Sequence, residues 1–118
     1  MTTIEIGFVA EQKTLRFLQK NGLRKITQNF RTRFGEIDLV MQDKQSLVFV
    51  EVRLRRNRFH GQGFETISPA KQRRLIQTAQ IYLMRHQQFK RFPCRFDVVS
   101  LDHEDKITWI KNAFQVQC

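Results

Sequence analysis

Cysteine is scarce in this 118-residue chain, which holds only Cys94 and Cys118. One opens a predicted strand and the other is the last residue, so no disulfide framework is expected, and there is no Cys-x-x-Cys pair. Histidine is equally thin. His60, His86 and His103 lack metal-ligand spacing with one another or with a cysteine, which argues against a zinc site. No apolar run approaches the ~20 residues that span a bilayer. The stretch from Met1 to Phe17 has no basic start, no long apolar region and an early Glu5, so no secretory signal is expected. The cytoplasm is the expected address, and a membrane partner is not expected. Internal repeats, linkers and low-complexity segments are also missing. The chain suits a single domain, residues 1–118, long enough to bury a core. With 41% hydrophobic residues it has a globular rather than a disordered composition.

Acidic residues are missing from one long window. Between Val52 and Phe96 there are 11 Lys or Arg and one carboxylate, Glu65, within a chain of net charge +10. Charge of this size speaks about partners rather than fold. Arg outnumbers Lys, and the run Arg53-Leu54-Arg55-Arg56-Asn57-Arg58 is dense. The balance favours a nucleic-acid partner over a merely solvated surface.

The pattern predicts a helix from about Ile4 to Lys20, with Phe8, Leu15 and Leu18 on a broad apolar face that Ala10 and Phe17 extend. Asn21-Gly22 supplies its stop. Strands are predicted over Leu23–Phe34, Glu36–Gln42 and Leu47–Leu54. A polar loop then runs to about Ile67. Ser68-Pro69 opens a second helix, because Ser caps well and Pro suits the first helical position. Strands follow at Cys94–Leu101 and Ile107–Ile110, separated by a turn at His103–Lys106. The order α-β-β-β-α-β-β gives an α/β fold, a mixed sheet flanked by helices.

The hairpin "GEIDLV … VFVEVR" places carboxylates inside apolar strands. If Lys44-Gln45 forms the loop, paired residue numbers sum to 89. Asp38 then faces Glu51 and Glu36 faces Arg53, while Ile37, Leu39 and Met41 meet Val52, Val50 and Val48 on an apolar face. A one-residue slip would invert every side chain, so the even register is preferred. Two carboxylates side by side repel. A divalent cation on hard oxygen ligands would offset this, and so would a salt-bridge network built on Arg53. From the residues alone both readings stand.

These segments, with "FHGQGFETISPAK" and "RFDVV", resemble the YraN family of small bacterial proteins over Glu11 to about Phe114. That family is similar to the PD-(D/E)XK, restriction-endonuclease-like nucleases, and in layout to archaeal Holliday-junction resolvases. The resemblance implies an αβββαβ core and a Mg2+- or Mn2+-dependent phosphodiesterase acting on DNA, branched or single-stranded, in repair or recombination. It assigns Asp38 and Glu51 as metal ligands and Glu11 as the helical glutamate that completes such sites. Arg53 stands at the usual lysine position, Lys71 matches a recurrent basic residue, and Gly35 precedes the acidic strand. The carbonyl of Val52 is a further candidate ligand. Junction resolvases act as dimers, which raises a homodimer as an expectation.

On that reading Arg55, Arg56, Arg58, Lys71, Arg73 and Arg74 hold the phosphate backbone. Phe59 and Phe64 are candidates for base stacking, against ordinary loop packing, and His60 for a base, against a surface role. Arg53 departs from the superfamily pattern. Arginine keeps its proton, with a pKa above ~12, yet its planar fork suits a phosphate. Two alternatives to an enzyme therefore remain: a nucleic-acid-binding module on a nuclease fold, or an interaction protein whose basic surface docks an acidic partner.

Overall fold

The computed structural model describes residues 1–55 and 67–114. The basic loop with Arg56, Arg58, Phe59, His60 and Phe64 lies outside the described residues, as does Cys118.

The first helix, α1 (Thr3–Lys20), begins one residue before the predicted start. Thr2 and Glu5 form a capping box: Thr2 Oγ1 accepts the Glu5 N–H and Glu5 Oε1 accepts the Thr2 N–H, both at 3.1 Å. The helix stops where expected. Gly22 takes φ +93°, and the Leu23 N–H returns to the Leu18 carbonyl at 3.0 Å. Leu18 and Leu23 are both buried, the apolar contact that accompanies such a Schellman turn.

Five strands follow: β1 (Arg24–Thr32), β2 (Gly35–Asp43), β3 (Ser46–Leu54), β4 (Cys94–Leu101) and β5 (Ile107–Phe114). They lie side by side in chain order. All neighbours are antiparallel except β3 and β4. That parallel step is bridged by α2 (Pro69–Arg85), as a parallel crossover requires. Ser68 Oγ caps α2 by accepting the Lys71 N–H at 3.2 Å, with Pro69 in the first helical position. The architecture is thus a mixed α/β domain of αβββαβ layout with one added strand. The last strand runs four residues beyond its predicted end at Ile110.

The sheet is buried on both faces. Leu39, Met41, Val48, Val50, Val99 and Leu101 pack with Ala10, Leu15 and Leu18 of α1. Val40, Leu47, Phe49, Phe96 and Val98 pack with Leu75, Ala79 and Tyr82 of α2. Successive strand residues point to opposite faces, so the helices cover the sheet from opposite sides. The hairpin has the expected register: Leu39 pairs with Val50, Met41 with Val48 and Asp43 with Ser46. Lys44, at φ +55°, supplies the left-handed conformation a two-residue hairpin turn needs.

Two expectations are corrected. Ile37 does not join Leu39 and Met41; it belongs to the cluster under α2. The pleat changes phase beside Asn29, which sits at φ +56° between the paired positions Gln28–Leu39 and Phe30–Ile37. Phe8 leaves the predicted apolar face of α1 and is 54% exposed, with Ile4 at 84%.

A second irregularity stabilises the far side of the sheet. The β4–β5 register shifts between Phe96 and Val98, around the fully buried Asp97. Its carboxylate accepts from Arg95 Nε (3.0 Å), Trp109 Nε1 (2.9 Å) and the Asn112 N–H (2.9 Å). Both oxygens of the buried carboxylate thereby have hydrogen-bond partners.

Candidate metal centre

The site grows from the break in the pleat. At Asn29 the edge strand departs from regular alternation, and β2 beside it carries Glu36 and Asp38. Glu11 arrives from α1. One carboxylate oxygen from each of Glu11, Glu36 and Asp38 lies within 4.8 Å of the others. They line a cleft of about 390 Å³, walled by Ile4 and Phe8 of α1 and by Arg31 of β1. The Asn29 amide, oriented so that its nitrogen donates, bridges Glu11 Oε1 (3.0 Å) and Glu36 Oε1 (2.9 Å). The other Glu36 oxygen accepts from Arg31 Nε at 3.0 Å. The predicted Glu36–Arg53 pairing is therefore replaced by Glu36–Arg31, its neighbour across β1 and β2.

Asp38 joins this cluster to Glu51. The β2–β3 ladder ends at Leu39–Val50. Beyond it, Asp38 Oδ2 accepts the Val52 N–H at 2.8 Å. The carboxylate thus occupies the place of a ladder bond, and Glu51 lies close enough for its charge to act on it. Burial first, and then the charge of Glu51, push the Asp38 carboxyl up to about 8. Glu11 is also raised, by burial and by the charge of Glu36, while its hydrogen bond from Asn29 opposes this.

Glu51 is buried and points toward the start of α2. Its Oε2 is held by Lys71 Nζ, with Arg53 Nε 4.0 Å away. The predicted residues thus form two adjoining groups: Glu11 and Asp38 with Glu36, and Glu51 with Arg53 and Lys71. The Val52 side chain packs against the α1-side core and its amide serves Asp38. Arg55 extends the β3–β4 ladder through its N–H to the Leu101 carbonyl, at 2.7 Å. Arg73 and Arg74 stand exposed on α2.

The donor set fits a hard divalent cation. It offers three clustered carboxylates at the cleft, and their charges and burial raise two carboxyls that a cation would lower again. Several residues escaped the sequence reading. Glu36 was legible as the i−2 neighbour of Asp38. Asn29 was not, because its role depends on a left-handed backbone. The cations of β1 were overlooked: Arg24, Lys25 and Arg31, with Arg33 in the turn, are all exposed.

Residues 10–101 match the uncharacterised protein family UPF0102. A UPF0102 protein of Coxiella burnetii (strain RSA 493 / Nine Mile phase I) is 50% identical over 115 residues, covering 98% of this chain and 96% of the relative. The chain belongs to family UPF0102. Another UPF0102 member, from Nitrosococcus oceani, is 48% identical over 94% of this chain and 92% of its own. One from Legionella pneumophila subsp. pneumophila is 44% identical over 98% and 99%. The UPF0102 match spans α1 from Ala10 through β4, and so takes in both acidic groups. Among the described residues, no helix is long and apolar enough to cross a membrane.

Proposed function

We propose that the protein is a metal-dependent nuclease that hydrolyses phosphodiester bonds in DNA with magnesium or manganese. The observation that carries this reading is the convergence of Glu11, Glu36 and Asp38 within 4.8 Å, with the charge of Glu51 acting on Asp38. The αβββαβ layout and the resemblance to PD-(D/E)XK nucleases support it. A divalent cation bound there would polarise a phosphate and lower the pKa of a bound water. The chain's own groups do the rest. Asp38, Glu11 and Glu36 supply ligand oxygens, and Glu51 adjoins them. Asn29 and Arg31 fix the orientation of Glu11 and Glu36. Arg53 offers a guanidinium to a phosphate, though it cannot take a proton from water. The exposed cations of β1 and α2 meet the phosphate backbone, which supplies most affinity for nucleic acid.

One observation favours a second reading. Glu51 is already matched by Lys71 and Arg53, the arrangement of a structural ion-pair network. On that reading the chain is a nucleic-acid-binding module that does not cut.

A panel of single-stranded DNA, duplex, flap, four-way junction and RNA, each with Mg2+ or Mn2+, separates the two. Cutting that disappears in Asp38→Ala and Glu51→Ala supports the nuclease. Cutting that survives both substitutions removes the site assignment. Salt-sensitive binding without any cutting favours the module.

A further inference from the structure

We propose that Lys71 is the displaceable cation of this site. Its ammonium holds Glu51 in the resting protein and passes to a substrate phosphate when a divalent cation claims that carboxylate. This rests on the nuclease reading above and couples the phosphate contact of Lys71 to the state of Glu51.

The geometry points to Lys71 rather than Arg53. Lys71 Nζ contacts Glu51 Oε2 directly, whereas Arg53 Nε stands 4.0 Å from the same oxygen. The Glu51 side chain is 8% exposed, but that of Lys71 is 39% exposed. The carboxylate is therefore shielded while its partner reaches solvent. A lysine is also suited to moving. Its charge is a compact point at the end of a flexible stem, without the fixed planar fork of arginine.

Its backbone, by contrast, is fixed. The Lys71 N–H donates to Ser68 Oγ in the first turn of α2, so the stem swings from a rigid base.

Charge balance supplies the coupling. A divalent cation that draws on the Glu51 carboxylate weakens its hold on the ammonium, because two cations beside one carboxylate repel each other. Lys71 is then more easily released from Glu51, and its ammonium is open to another anion. A phosphate oxygen is the group that would take it. The resting ion pair thus competes with metal binding, and the competition ends by arming the site for an anionic substrate.

The test is Mn2+ titration by calorimetry on the full chain, with cleavage measured in parallel. Lys71→Met should bind Mn2+ roughly tenfold more tightly than wild type, since a competitor for Glu51 is gone. Its kcat should nevertheless fall by about 10²-fold, with the loss of a cation aimed at the phosphate. Lys71→Arg should recover most of the cleavage. In a Glu51→Gln background, Lys71→Met should leave Mn2+ affinity unchanged, and that pair also avoids stranding a buried charge if the single variant fails to fold. Mn2+ binding that is unaltered or weaker in folded Lys71→Met, while wild type binds normally, overturns this proposal and leaves the nuclease reading intact. Absence of Mn2+ binding by wild type overturns the metal centre, and this inference with it.

Discussion

Asp38 accepts the backbone N–H of Val52 at 2.8 Å, across the opening of the β2–β3 hairpin. A side chain thus substitutes for a rung of the sheet. The bond fixes the carboxylate between Glu51 on one side and Glu11 and Glu36 on the other, where burial and like charge act together.

The first prediction concerns pH. The Asp38 carboxyl is raised to about 8 from an ordinary 3.8. In the unfolded chain it therefore loses its proton near pH 4, and in the folded protein only near pH 8. Its contribution to stability is full at low pH and is lost as pH rises through that window. The raised carboxyl of Glu11 acts in the same direction. Asp38→Asn, which retains an acceptor for the Val52 N–H, should match wild type near pH 4 and exceed it at pH 8. Each kcal/mol relieved should raise Tm by about 4 °C. Thermal melts without added metal at the two pH values check this, and equal melting of both proteins at pH 8 would contradict it.

Metal affinity should run the other way. Ligand carboxyls must be ionised to bind, so Mn2+ affinity should climb as pH rises from 6 toward 8, the side on which Asp38 loses its proton. Glu36→Gln should weaken binding by about tenfold or more. Asp105→Asn, which alters an exposed pair with Lys13 outside the cleft lining, should leave it unchanged. Calorimetric titration at several pH values decides both points.

Nucleic-acid affinity should fall with salt. Each phosphate contact contributes about 0.9 to the slope of log affinity against log salt for duplex DNA. Replacing Arg24 and Arg33 together by Gln should lower that slope by about two contacts' worth and weaken all sequences alike. Fluorescence anisotropy across a salt series measures this. An unchanged slope would remove the β1 edge from the interface.

Asp97 should matter to folding rather than to chemistry. Asp97→Ala strands Arg95, Trp109 and the Asn112 amide around a buried gap. The expected cost is about 3–5 kcal/mol, as for breaking other buried charged pairs. Urea unfolding would register it as a lower midpoint at similar slope.

The fold was largely legible because its signals were local. Asn21-Gly22 and Ser68-Pro69 mark helix ends by backbone chemistry that neighbours do not alter. The hairpin register followed from alternation together with a two-residue loop, and Leu39–Val50 pairs as that count requires. What escaped depends on distant contacts. Nothing near Ile37 in the chain announces that Asn29 will turn the pleat and send Ile37 beneath α2. Phe8 looked like core because it falls on the apolar side of α1, yet that part of the helix runs past the sheet to the cleft. The two acidic groups were anticipated as one. Their separation rests on Lys71, which sits 20 residues from Glu51 in the chain and on a different element.

The two outermost strands share a trait with consequences beyond the site. β1 carries Asn29 at φ +56° and β5 carries Asn112 at φ +52°, and each left-handed residue interrupts the regular extended backbone of its strand. A flat, regular border invites another chain to add a strand, which is the usual route to runaway aggregation. Here both borders are bent. A border bent in this way is a poorer template for an added strand than a flat one.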